Sequence, residues 1–342
     1  MAATLRIACA GVALIIASCS PQPRVVLYCA QDRDFAAQLV GEFALQTSID
    51  IAPKYDTEAN KSVALYEEIV REASRPRCDV HWNNEIIATI RLQKQGLLQP
   101  YTSPMARDYP PESRSKDGTW QAFAARARVL IVNRQAVPPG ARPTSMFDMV
   151  APRWRGQIAM AKPQFGTTAS HAACLFAVLG KETASRYYQD LQRNEVQLVA
   201  GNKQVAELVG QGRYAFGWTD SDDAMLEVKA GRPVTIVFPD ASGHPHFARL
   251  GTLFLPNTVA LIRDAPHPEE GRKLIDFLLR HDTEKRLAEG GGYQIPLNPR
   301  TPATLPAELA PALEAKKMNV DFEQAAEQWG EVQEFLRQQF AR

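Results

Sequence analysis

Asp220, Asp222 and Asp223 crowd three carboxylates into four positions, directly after an apolar run over 214–218 that reads as a short buried strand. In an open α/β sheet, ligands are held at the carboxyl ends of strands, so the cluster stands where a site belongs. Like charges this close repel unless a cation, a cationic ligand or basic side chains neutralise them. The same residues also suit a helix start: Ser or Asp before a helix accepts its free N–H groups, and acids in the first turn complement the dipole. On this stretch alone both readings stay open.

Other strand ends carry related chemistry. Gly166-Thr167-Thr168-Ala169-Ser170 places a glycine and hydroxyls at a helix start, where free N–H groups attract an anion; an ordinary N-cap by Thr167 or Thr168 is the plainer alternative. Gln31-Asp32, Tyr55-Asp56, Trp82-Asn83-Asn84-Glu85 and Gly201-Asn202 each follow a strand pattern. Arg126 and Arg128 occupy alternate positions of another strand pattern, hence one face. Gathered at one sheet edge, these residues supply acids (Asp32, Glu85, Asp220, Asp222, Asp223), bases (Arg126, Arg128) and ring faces (Tyr55, Trp82, Trp218). Such a mixture is what a small-molecule cleft needs. A Gly-x-Ser-x-Gly elbow, a phosphate loop, a His-Glu-x-x-His helix and a dinucleotide glycine fingerprint are all absent. The six histidines are scattered without metal spacing; His81, on a strand, reads as a satisfied core or face residue.

The elements that must position these residues alternate strand and helix. Strand patterns at 24–28, 49–55 and 78–82 alternate with helical patterns beginning near 35, 61 and 83, the repeat of a parallel, doubly wound half-domain. Residues 100–118 read as a loop, and 120–133 contain a strand long enough to leave one domain for the next. A second set follows, with strands near 157–160, 196–199, 214–218 and 234–238 and helices over 168–179, 181–193 and 202–209. Residues 251–262 form the return crossing; helices over 266–279 and 283–289 and one amphipathic helix over 321–340 complete the chain. The expected fold class is α/β: two doubly wound lobes joined by two crossing strands. Residues 25–125 plus 253–342 form lobe 1, residues 126–252 form lobe 2, and a cleft lies between them.

Residues 1–18 read as an export signal: Arg6 is the only charge, and the apolar run 7–17 is too short to span a bilayer. Ile16-Ala17-Ser18-Cys19 resembles a bacterial lipobox, which makes Cys19 the expected lipidation site and residues 19–24 a tether; more than one acyl chain gives stable anchoring. A plain secretory signal is the alternative. The chain is then periplasmic or at the cell surface, held to a membrane by lipid. A formal net charge of +1 gives no field for nucleic acid. With Cys9 removed and Cys19 lipidated, Cys29, Cys78 and Cys174 remain; Cys29 and Cys78 fall at opposite ends of the sheet, so no disulfide is expected between them.

These residues together resemble the type II periplasmic solute-binding proteins of ABC importers, in the ferric-iron-binding group. The resemblance rests on Val26-Leu27-Tyr28-Cys29-Ala30-Gln31-Asp32, on Cys78-Asp79-Val80-His81-Trp82-Asn83-Asn84-Glu85, on the stretch from Phe123 through Arg126 and Arg128 to Val129, and on 214–223. Val259-Ala260-Leu261-Ile262, Ala265-Pro266-His267-Pro268 and Ile295-Pro296-Leu297-Asn298-Pro299 add to it. It implies two lobes that close on a ligand like a hinge, a monomer partnered by a membrane permease, no catalytic turnover and no resident cofactor, with Fe3+ or another cation entering as cargo. Carried over to this chain, the loop after the first strand supplies Asp32, the loop after the third Glu85 or Asn84, and the crossing strand Arg126 for an accompanying anion. The tyrosine pair of many ferric relatives falls on Ser221 and Asp222, so it is missing. Carboxylate oxygens are hard ligands, which leaves Asp32, Glu85, Asp222 and Asp223 as the implied metal set. Relatives that bind phosphonates or sugar phosphates imply another use: Thr167, Thr168 and Arg126 grip the oxyanion while the acid cluster meets an amine or hydroxyls. A periplasmic enzyme on the same scaffold, and a cell-envelope interaction protein, are the rival classes.

Overall fold

The computed structural model describes residues 24–56 and 63–340. The expected export signal, Cys19 and the tether up to residue 23 lie outside the described residues, as do Thr57, Glu58 and the first positions of the helix expected from 61. The first strand–helix set comprises β1 (Arg24–Cys29), α1 (Arg33–Thr47), β2 (Asp50–Tyr55), α2 (Ala64–Arg71), β3 (Val80–Asn83), α3 (Ile86–Lys94) and the short β4 (Leu98–Gln99). The long β5 (Trp120–Asn133) leads to the second set. That set holds β6 (Ile158–Ala161), α4 (Gly166–Leu179), α5 (Lys181–Arg193), β7 (Gln197–Val199), α6 (Asn202–Gly210), β8 (Phe216–Asp220), α7 (Ser221–Lys229) and β9 (Val234–Val237). The chain returns through β10 (Phe254–Ile262) to α8 (Pro268–Leu278) and α9 (His281–Glu289), and ends in α10 (Phe322–Glu327) and α11 (Trp329–Phe340).

The strand order is β2-β1-β3-β10-β5-β8-β6-β7, with β4 beside β10 and β9 beside β5. Strands β1, β2 and β3 run parallel, as do β6, β7 and β8, while β5 and β10 run antiparallel to their neighbours. Every residue of β5 is buried, and the strand serves both halves. Trp120–Ala127 pairs with β10; Arg128–Val132 pairs with β8.

The register of β5 and β10 shifts between Pro256 and Asn257, leaving Ala124 as an extra residue with φ +39°. Pro256 has no N–H for the ladder at this point, and proline within sheets is confined to such irregular places. Asn257 Nδ2 donates to the Ala124 carbonyl at 2.7 Å, and the Ala124 N–H donates to Glu284 Oε1 at 2.7 Å. Glu284 also accepts from the Leu297 and Asn298 amides and from Thr301 Oγ1. Burial pushes its carboxyl up, and those donors oppose the shift. A bulge re-aims the side chains that follow it. Trp120, Ala122 and Ala125 therefore line one side of β5, while Arg126 and Arg128 turn to the other, toward the ends of β1 and β8.

Three expectations change. The helix expected over 321–340 is two helices, turning at Gln328. The break lets α10 lie between α3 and α4 while α11 continues along α4 and α5; Lys94 Nζ holds Glu327 at 2.8 Å, and Arg91 sits 5.0 Å over the Trp329 ring. Helix α4 begins at Gly166, with Phe165 in the cap position, so neither Thr167 nor Thr168 is its N-cap. Finally, His81 is buried but not satisfied: neither ring nitrogen has a partner among the described residues. Cys29 Sγ lies 3.9 Å from the Gln31 carbonyl and Cys78 Sγ 3.2 Å from that of Val80, each close to its own strand end.

Burial lowers the His81 pKa from 6.5 to about 4. The unfolded chain therefore binds this proton first as pH falls, and stability is lost between pH 6.5 and about 4. For one group with that shift the loss is about 3 kcal/mol. In urea titrations across this range, His81→Leu should flatten the pH dependence; an unchanged slope would show that His81 is not the group responsible.

Candidate ligand-binding cleft

Strand β8 delivers Asp220 as its last residue, and α7 begins at the next. The strand runs close to β6 at Gly217, where an added Cβ would meet the Ala159 carbonyl oxygen at 2.5 Å. Asp220 occupies the N-cap position of α7 yet makes no side-chain capping bond. Its carboxylate is turned across β5 instead: Arg128 Nη1 donates to Oδ1 at 2.7 Å, and Thr167 Oγ1 donates to Oδ2 at 2.6 Å. Asn202 Nδ2 adds 2.8 Å to Thr167 Oγ1 and 3.2 Å to Asp220 Oδ2. Arg128 Nη1 also donates to Asn202 Oδ1 at 3.0 Å, and Thr168 Oγ1 to the same oxygen at 3.1 Å. Behind the guanidinium stands the Trp218 ring, 5.8 Å away, fixed by its own bond from Nε1 to Tyr187 at 3.1 Å and by the edge of His171. Burial, then Arg128, keeps His171 well below the usual histidine range and thus neutral.

Arg126 is the second cation. Nη2 donates to Gln31 Oε1 at 2.7 Å and lies 3.5 Å from Asp222 Oδ2; Nη1 is 3.9 Å from Asp220 Oδ2. Burial opposes its charge, but Asp222, Asp220, Asp32 and Asp223 outweigh that and hold its pKa above the ordinary arginine value. Asp222 Oδ2 also accepts from Gln294 Nε2 at 2.9 Å, and Gln294 Oε1 in turn accepts from Asn257 at 3.0 Å. Oxygens of Asp220, Asp222 and Asp223 all lie within 4.8 Å of one another.

A small pocket opens beside this cluster. Asn84 enters it from the end of β3, Arg126 from β5, Lys162 and Phe165 from the turn after β6, Gly201 from the turn after β7, and Asp223 from α7. Helices α4 and α6 both start there, and neither has a side-chain cap. Unsatisfied N–H groups at a helix start favour an anion. One side of the pocket therefore attracts negative charge, through Lys162, Arg126 and two helix starts. Asp223 on the lining attracts positive charge, with Asp222 and Asp32 close by around Arg126.

The chain matches the bacterial extracellular solute-binding proteins over residues 25–293. It belongs to that family. Its members are non-enzymatic receptors outside the cytoplasmic membrane that serve ABC importers. Among named relatives, "Iron uptake protein A1" of Synechocystis sp. is 25% identical over 287 residues, covering 81% of this chain and 76% of that one. Iron-bound HitA from Pseudomonas aeruginosa superposes with a TM-score of 0.81 at 20% identity, covering 93% of this chain and 99% of that one. AfuA from Actinobacillus pleuropneumoniae, with exogenous fructose-6-phosphate bound, gives 0.80 at 20% identity and the same coverage. The α/β periplasmic-binding-protein fold expected from the sequence is thus the fold of this receptor.

Of the residues singled out in the sequence of this solute-binding protein, Asn84, Arg126, Thr167, Asp220 and Asp223 line the pocket. Asp222 holds Arg126 beside it, and Asp32 stands at the start of α1, near enough to stabilise the Arg126 charge. Others have different employment. Glu85 caps α3. Trp82 is buried in the core, its ring 5.6 Å from Phe123. Thr168 and Trp218 support Arg128 from behind. The Tyr55 hydroxyl is buried without a hydrogen-bond partner among the described residues; burial, then Cys29, pushes it up to about 12, and Arg33 partly opposes this. Ser221 is turned from the pocket, accepting from the Ala127 N–H at 3.0 Å. Asp222 and Asp223, named from the sequence with Asp220, follow it in the first turn of α7: Asp223 lines the pocket and Asp222 holds Arg126.

Sequence reasoning missed Lys162 and Phe165, which line the pocket, and Gln294, which holds Asp222. Lys162 follows β6 directly, which was a usable signal. Gln294 lies in an irregular stretch after three glycines, where no periodicity marks it. Because Arg128 and Asp220 are both buried, Arg128→Met should destabilise the fold by about 3–5 kcal/mol, the cost of leaving one buried charge unpaired. Chemical denaturation measures this; a loss below ~1 kcal/mol would show the pair to be dispensable.

Proposed function

We propose that this receptor carries a small cargo with a positive centre and a negative one, and that ferric iron with a companion anion is the first candidate. The observation that carries the reading is the placement of four carboxylates, Asp32, Asp220, Asp222 and Asp223, around two buried guanidiniums at a pocket fed by two uncapped helix starts. Arg128 is consumed by Asp220, and Arg126 is shared among the others. Four carboxylates against two guanidiniums leave the group with excess negative charge, and the hard oxygens of Asp222 and Asp223 suit a hard cation. The anion lies toward Lys162, Gly166 and Gly201. The iron-related names of the relatives support the same choice.

A second reading has its own support. No tyrosine stands in the first turn of α7, so a metal here lacks phenolate ligands from that helix. An organic zwitterion, with an amine at Asp222 and Asp223 and a phosphonate or phosphate at the helix starts, uses the same two ends. The phosphate-sugar ligand of one structural relative keeps this class in view. The receptor is held to a membrane through lipid on Cys19 and passes its cargo to an ABC permease.

Calorimetric titration with ferric citrate, an aminoalkyl phosphonate and a sugar phosphate separates the readings. Asp222→Asn with Asp223→Asn should weaken the cation-bearing probe about 30-fold or more, the equivalent of ~2 kcal/mol, at a temperature where its melting curve shows the variant folded. Unaltered affinity would reduce the cluster to a helix-dipole partner. Lys162→Ala should weaken probes that carry an anion and spare the fold, since Lys162 is exposed. Cys19→Ala should release the exported protein from membranes; persistent membrane association would contradict lipidation at Cys19.

A further inference from the structure

Glu85 holds a position that the resemblance reserves for a ligand-binding acid, but its oxygens are committed elsewhere. Oε1 accepts from the Ala88 amide at 2.9 Å and from Asn83 Nδ2 at 3.2 Å. Oε2 accepts from the Ile87 amide at 2.8 Å and from Ser170 Oγ at 2.5 Å. Two bonds therefore cap α3, a third ties down the strand end that precedes it, and the fourth goes to α4, in the other half of the molecule. Both residues are almost fully buried, at 2% and 0% exposure. Asn84, not Glu85, faces the pocket. The Cys174 thiol, one helical turn beyond Ser170, is pushed up by burial and then by the Glu85 charge, which puts the carboxylate against α4 a second way.

We propose that Glu85 and Ser170 form a latch between α3 and α4 that holds the two lobes together independently of cargo. Glu85 is a positioning residue here and never touches the cargo. The carboxylate is pre-oriented by the α3 amides, so closure needs only one hydroxyl to swing into place. When the lobes part, Ser170 returns to water while Glu85 keeps its α3 cap. The bond therefore acts on the open–closed equilibrium and leaves the fold of each lobe alone. A hydrogen bond to a charged group is among the stronger kinds, and in a two-state receptor its free energy is spent on the state that makes it. A latch of this type gives the cargo-free receptor a closed population and slows cargo release, whichever cargo is carried.

The test uses the full chain without cargo, with nitroxide labels at Leu45→Cys and Arg186→Cys, exposed positions on either side of the cleft, and pulsed electron-resonance distances. The wild type should show a resolved closed population. Ser170→Ala, which leaves the α3 cap whole, should cut the closed-to-open ratio about tenfold, the scale of a charge-assisted bond. Glu85→Gln with Ser170→Ala should cut it no further than Ser170→Ala alone, since without the hydroxyl there is no bond for the carboxylate charge to strengthen. Melting temperatures of the variants check that the lobes remain folded. The proposal is overturned if the cargo-free wild type is entirely open, if Ser170→Ala leaves the distances unchanged, or if the two substitutions act additively. None of these outcomes bears on cargo identity, so a failed latch and a failed cargo assignment stay distinguishable.

Discussion

Everything in this cleft depends on balancing a crowd of carboxylates where little water reaches them. Asp220, Asp222 and Asp223 follow one strand and lie within 4.8 Å of one another. Unaided, such a group would repel itself and loosen the start of α7. The chain answers with Arg126 and Arg128, two positions apart on β5, each among the largest fully buried side chains. Arg128 is fixed by one acid, two threonines and an asparagine; Arg126 is held by attraction from several acids at once. The first pair is architecture, and the second remains adjustable. An arriving cargo can redistribute the Arg126 contacts without breaking the network behind it.

That division rests on the bulge at Ala124. Strict alternation along β5 would put Trp120, Ala122, Arg126 and Arg128 on one face. One extra residue, anchored by Glu284 and Asn257 beside the N–H-less Pro256, separates the aromatic and alanine positions from the arginines. The same strand pairs with both halves of the sheet, so it fixes the arginines relative to β8 and β1 together. The carboxylates and the helix starts both belong to the second half, and Asn84 meets them from the first.

The strand–helix alternation was legible because apolar runs with period two and amphipathic helices with period 3.6 announce themselves over short windows. The face shared by Arg126 and Arg128 followed from spacing alone and survives the bulge, which lies upstream of both. The acid cluster was visible in the sequence, and Asp220 and Asp223 do line the pocket. That Asp220 turns across β5 to Arg128 instead of capping α7 was not visible, because side-chain direction at a helix start is set by packing. Glu85 was misread because glutamate is not a preferred N-cap, and because its partner Ser170 is 85 positions away. The unsatisfied His81 could not be read at all, since hydrogen-bond partners are a property of packing. Gln294 escaped for a related reason: a bond to Asp222 across 72 positions leaves no local trace.

The central claim is that the cleft takes a cargo with both a cationic and an anionic centre. Native mass spectrometry of the freshly purified, exported protein tests it most directly, by weighing what the cleft has kept. The account predicts an added mass that fits a cation with its anion, or a single zwitterion, and that is lost from the variant carrying Asp222→Asn and Asp223→Asn. A bound species that is neutral or wholly anionic, retained in full by that variant, would contradict it.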